Sequence, residues 1–103
     1  MGYKLFIDDE RDPVTDDWVI ARNHDEVRQI ISIHGMPSYV SFDHDLGSFV
    51  NGDGFKIAKY LVDLDMNTKF RFPDDFDYYV HSQNPIGKKN IEGYLDNYLR
   101  VKE

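Results

Sequence analysis

The chain predicts a small α/β fold built on a reduced, mainly parallel four-stranded sheet. Three observations carry that expectation. Short apolar runs alternate with segments of helical periodicity. Two of the runs stop abruptly at carboxylates: Tyr3 to Ile7 before Asp8, Asp9 and Glu10, and Tyr39 to Phe42 before Asp43 and Asp45. The length, 103 residues with 41% apolar and 15% aromatic, fits one compact domain over residues 1–103.

Tyr3 to Ile7 reads as the first strand, because a brief apolar run suits a strand buried in a parallel sheet. Asp8 to Asp17, with Pro13, is a loop rich in turn formers, and Trp18 to Arg22 is a second short strand. Asn23 is placed as an N-cap, and Glu26 three residues on completes a capping-box pattern. Val27, Ile30, Ile31 and His34 follow at helical spacing, with Gly35 positioned to end the helix. After Pro37, Tyr39 to Phe42 forms the third strand. His44 to Gly54 is a loop containing Gly47, Gly52 and Gly54. Phe55, Ala58, Leu61 and Val62 mark a second helix from near Gly54 to near Asp65. Met66 to Asp75 is expected to be a polar connector carrying Pro73. Tyr78 to Val80 is the fourth strand. Asn84 and Pro85 open a closing helix traced by Ile91, Leu95, Tyr98 and Leu99.

Composition narrows the function. No Cys is present, which excludes disulfides and thiolate metal sites and suits a cytoplasmic location. Met1 and Gly2 lead into a strand pattern without the features of a signal peptide, and no apolar stretch is long enough to span a bilayer. Nineteen acidic against twelve basic residues give a net charge of −7. A broad DNA-binding surface needs the opposite balance. Recognition of a single phosphate through a cation and a few basic groups stays open.

In parallel α/β sheets, ligands bind beyond the carboxyl ends of the strands. Asp8, Asp9, Asp43, Asp45, His81 and Ser82 all fall at those ends. Carboxylates delivered by neighbouring strands repel one another unless protons or a divalent cation neutralise them. Mg²⁺ prefers carboxylates and water, so it is the expected cofactor, with Mn²⁺ as an alternative, on Asp8, Asp9 and Asp43. Successive strand residues point to opposite faces, so one of Asp8 and Asp9 can act through water. Asp43 is also a candidate nucleophile, and Asp45 a second ligand or an orienter of His44. His44 and His81 are candidates for proton transfer, although a lone histidine is more often structural. Ser82, Asn84, Gly87 and Lys88 form an anion cradle at a helix start; Asn84 and Pro85 are equally an ordinary helix opening. Arg22 and Arg11 are further phosphate candidates. His24 and His34 are placed on a helix away from this edge. Trp18 and the tyrosine-rich segments read as core rather than base-stacking surface.

Leu5 to Glu10 resembles the opening of a response-regulator receiver domain. So does Asp43-His44-Asp45-Leu46-Gly47 followed by Gly52-Asp53-Gly54-Phe55, with Asp43 at the phosphoacceptor place and Ser82 at the end of the fourth strand. The resemblance implies a receiver-like (flavodoxin-like) three-layer fold in which the acidic pair binds Mg²⁺. Two features depart from that pattern. A loop stands where a helix is expected between the first two strands, and the fifth strand with its Lys has no counterpart. Ser41 to Gly47, taken with His81-Ser82-Gln83-Asn84-Pro85-Ile86-Gly87 and Asn90-Ile91, is more specifically similar to the cyclic-phosphate-processing receiver-like family. That similarity covers nearly the whole chain. It implies a role near RNA repair or cyclic-nucleotide handling, including in phages.

Two other patterns fit poorly. In an EF-hand loop starting at Asp43, Gly47 and Gly54 would stand where acids are wanted. The pair Asp43 and Asp45 is similar to that of haloacid-dehalogenase phosphatases, but those carry it on the first strand. The leading expectation is a metal-dependent phosphoesterase acting on cyclic or terminal phosphates of a nucleotide or RNA end. The alternatives are a receiver-like phosphoacceptor or sensor without turnover, and a phage-type binding module.

Overall fold

A computed structural model describes residues 2–8, 11–42, 53–80 and 85–102. The elements run β1 (Lys4–Ile7), β2 (Trp18–Ala21), α1 (His24–His34), β3 (Tyr39–Phe42), α2 (Asp53–Asn67), β4 (Asp77–Val80) and α3 (Pro85–Lys102). The four strands form one sheet in the order β2-β1-β3-β4, and every pairing is parallel. This is the flavodoxin-like order without a fifth strand among the described residues. The expected α/β receiver-like class holds.

Local chemistry sets the boundaries. Asn23, in extended conformation, accepts a hydrogen bond from the Glu26 N–H at 2.9 Å and caps α1. The Glu26 carboxylate reaches back to the N–H of Arg22 at 2.6 Å, one residue earlier than a capping box would have it. β2 stops at Ala21 rather than Arg22. Gly35 ends α1 with φ of +84°, a conformation open to glycine, and donates to the Ile31 carbonyl at 2.8 Å. α2 runs two residues past Asp65, to Asn67. The N–H and hydroxyl of Thr68 both donate to the Leu64 carbonyl, at 3.0 and 2.6 Å.

The core lies on one side of the sheet. Leu5, Ile7, Ala21, Val40, Phe42 and Val80 point the same way by strand alternation and are almost fully buried. Val27 and Ile31 of α1, Ile57, Ala58, Leu61 and Val62 of α2, and Ile91 and Leu95 of α3 close over them. Burial of each large side chain contributes about 1.5–3 kcal/mol.

All the described helices therefore share one face, which corrects the expectation of helices covering both. The reason is topological. The crossovers β2-α1-β3 and β3-α2-β4 advance in the same direction across the sheet, so right-handed connections put both helices on the same side. A helix between β1 and β2 would have covered the other side, and the described residues 11–17 form none.

The connector after α2 also differs from the polar segment expected. Phe72 is buried in the core and stacks near Phe76, with ring centroids 4.3 Å apart. The buried carboxylate of Asp65 accepts from the Phe72 N–H at 2.7 Å and from the Tyr98 hydroxyl. Asp65 thus ties α2, the connector and α3 together. Its role is structural, because both described partners are part of the fold.

Candidate functional site

The four strands end at one level. Ala21 pairs with Ile7, Ile7 with Phe42, and Phe42 with Val80. The rim beyond them is the carboxyl edge of the sheet. The order reverses between β1 and β3, which is where such folds open a binding crevice.

Asp8 directly follows β1 at this rim. Its N–H extends the ladder by one bond to the Ala21 carbonyl at 3.1 Å. Its side chain is nearly excluded from solvent, and Oδ1 accepts from the Arg11 N–H at 2.9 Å. The carboxylate is therefore held at the point where the chain leaves β1. The remaining expected site residues, Asp9, Asp43, His44, Asp45, His81, Ser82 and Asn84, lie outside the described residues. Among the described residues, no three His, Asp or Glu side chains form a metal-binding group.

Arg22 occupies the same rim, one position past β2. Its guanidinium donates from Nη1 to the carbonyls of Asp8 at 3.2 Å and Arg11 at 2.6 Å, and from Nη2 to the Asp12 carboxylate. These bonds clamp the loop after β1 against the start of α1. A phosphate contact from Arg22 would compete with them. Arg11 is exposed on that loop.

Gly87 and Lys88 sit in the first turn of α3, both half-buried, and that turn carries no acidic residue. The positive end of the helix dipole favours an anion there. The structure thus places Asp8 and Arg22 one residue past the ends of β1 and β2.

The two helix histidines are not equivalent. His34 lies at the far end of α1, its ring 5.8 Å from that of Tyr3. His24 opens α1 three residues after β2, so it belongs to the carboxyl rim rather than lying away from it. Its ring packs edge-on against Tyr60 of α2 at 5.2 Å, and its Nε2 is buried without a hydrogen-bond partner among the described residues. The signal for this was the short spacing from Ala21 to His24 in a parallel fold, where a helix starts beside the edge at which its preceding strand ends.

A family model described as the cyclic-phosphate processing receiver domain matches residues 3–97. The chain belongs to that family. No curated protein and no solved structure matches it. As a member of the cyclic-phosphate processing receiver family, the chain keeps the parallel receiver-like sheet. It lacks, among the described residues, a helix between β1 and β2 and a fifth strand. No helix of the described residues is long and apolar enough to cross a membrane.

Proposed function

We propose that the protein is a metal-dependent phosphoesterase that opens or removes cyclic or terminal phosphates on nucleotides or RNA ends. The observation that carries this reading is the common level at which β1, β3 and β4 stop. Asp8, Asp43 and His81 each follow the last residue of one of those strands.

A hard divalent cation fits the donor types available. Asp8 supplies a carboxylate anchored at the rim and shielded from solvent, and the other candidate ligands are also carboxylates. Asp8, Asp9 and Asp43 would hold Mg²⁺, or Mn²⁺, which when bound supplies positive charge against phosphate oxygens. Asp45 would orient His44. A water oxygen bonds to phosphorus, its proton passing to whichever of His44 and His81 is neutral, while one ribose P–O bond of the ring breaks. His81 or His44 gives its proton to the departing ribose oxygen. Ser82, Asn84 and the first turn of α3, with Gly87 and Lys88, bind the other phosphate oxygens. The products balance as a phosphomonoester with one free ribose hydroxyl.

Incubation with 2′,3′-cyclic nucleotides and Mg²⁺ or Mn²⁺ tests the proposal. The expected result is a phosphomonoester whose formation stops when a chelator is added. Folded protein that leaves the ring intact with every divalent cation removes the enzyme reading. Strand order shared with receivers supports a second reading, a phosphoacceptor without turnover. An acid-labile mass gain on Asp43 after treatment with a small phosphodonor would favour it. Cytoplasmic placement belongs to the same proposal, since its substrates are intracellular phosphates.

A further inference from the structure

The helix-free face of the sheet is aromatic. Strand alternation puts Phe6, Trp18, Tyr39 and Tyr79 on it, with Ser41 between Phe6 and Tyr79 in the ladder. Trp18 meets Phe6 at 5.7 Å and Tyr39 at 5.8 Å between ring centroids. Tyr79 is 48% exposed, whereas Phe6 is 4% exposed without belonging to the helix-side core. Parallel sheets are ordinarily covered on both faces. Here residues 12–15 of the loop after β1 stand off this face and leave a slot of about 260 Å³ lined by these aromatics.

The chemistry of the slot selects its occupant. Its described lining contains no Lys or Arg. The neighbouring cations are engaged, Lys4 with Asp17 at 2.6 Å and Arg22 with Asp12. A phosphate therefore has no partner there, and a neutral planar ring does. The volume lies below the roughly 300–1,000 Å³ of drug-sized sites, which suits one ring system. A second copy of the chain fits less well, because each copy carries a net charge of −7 and the two repel. Phe6 and Ser41 precede the last residues of β1 and β3, so their row lies roughly 7 Å from the level of Asp8. One sugar bridges that separation.

We propose that this slot binds the nucleobase of the nucleotide or RNA end whose phosphate the rim handles, an inference that rests on the reading of the rim given above. Bases stack on aromatic side chains with little sequence preference, so the slot selects nucleotides over phosphate esters that lack a base.

Trp18 is the sole tryptophan and reports on the slot directly. Adenosine and uridine, which carry no phosphate, should quench its fluorescence saturably, and inorganic phosphate should not. Tyr79→Ala should weaken nucleoside binding by about tenfold while the circular dichroism spectrum stays that of the parent. Absence of saturable quenching in folded protein overturns the proposal. So does a concentration-dependent dimer in sedimentation that Tyr79→Ala disperses, since the face would then belong to a second copy. Peptide binding that nucleosides fail to displace overturns it as well. The two readings fail separately. Nucleoside binding without hydrolysis retains the slot and sinks the rim chemistry, whereas equal hydrolysis of nucleotide and base-free ribose cyclic phosphate does the reverse.

Discussion

Ile7 and Phe42 lie opposite each other in the parallel ladder, each the last residue of its strand. The backbones of β1 and β3 therefore reach the rim together, and the acids that follow them in sequence are Asp8 and Asp43. If those carboxylates share a cation, Mg²⁺ at millimolar concentration raises the melting temperature of the parent protein and fails to do so for Asp8→Asn. Hydrolysis of cyclic nucleotides falls by at least about a hundredfold in Asp43→Asn. Thermal melts with and without chelator, beside a product assay, check both.

Arg22 is a clamp as much as a charge. Lysine cannot reproduce a planar fork that reaches two carbonyls and the Asp12 carboxylate together. Arg22→Lys should lower stability by about 1–2 kcal/mol, read from urea unfolding. Hydrogen exchange in the loop after β1 should accelerate at the same time.

Asp65 and Tyr98 couple α2 to α3 through a buried hydrogen bond. Tyr98→Phe should cost about 1–2 kcal/mol, and Asp65→Ala about 3 kcal/mol because it also strands the Phe72 N–H. The double variant should lose less than the sum, with a coupling of about 1 kcal/mol. Additive losses would mean that the bond contributes nothing to joining the helices.

Alkali should unfold the protein in a defined window. Burial pushes Tyr3 and Tyr98 up to about 12, the latter with help from its bond to Asp65, and raises Tyr78 as well. A phenol whose folded pKa is raised contributes stability that is fully present below its unfolded pKa, near 10. That contribution is lost as pH rises towards 12. Denaturant midpoints should hold steady up to pH of about 10 and then fall. The tyrosinate absorbance contributed by Tyr3, Tyr78 and Tyr98, read as the difference between the parent and each Tyr→Phe variant, should rise together with unfolding rather than ahead of it.

Features written in neighbouring residues were legible from sequence. Asn23, Glu26 and Gly35 mark the ends of α1 because capping is a contact between residues three or four apart. The apolar runs of β1 and β3 revealed the sheet for a similar reason. Phe72 was missed because its burial depends on Asp65 and Tyr98, which are remote in sequence. Arg22 was read as a free cation, since nothing in its immediate neighbours announces that its guanidinium folds back on the loop. Trp18, Tyr39 and Tyr79 were assigned to the core because an aromatic residue in a strand does not say which face is covered. The loop from Asp8 to Asp17, standing where a helix was expected, held that information. Of the candidate site, Asp8 directly follows β1, and Gly87 and Lys88 fall in the first turn of α3.

Because β1 sits between β2 and β3, the strand of this sheet that leaves the ribosome before the other three is an interior one. Its β2 flank can be completed once residue 21 has emerged, but the other must wait for residues 39–42. Until then Leu5 and Ile7 have no partner strand on that side. This sheet is thus most open to mispairing before β3 is made, and slow decoding between α1 and β3 would lengthen that interval.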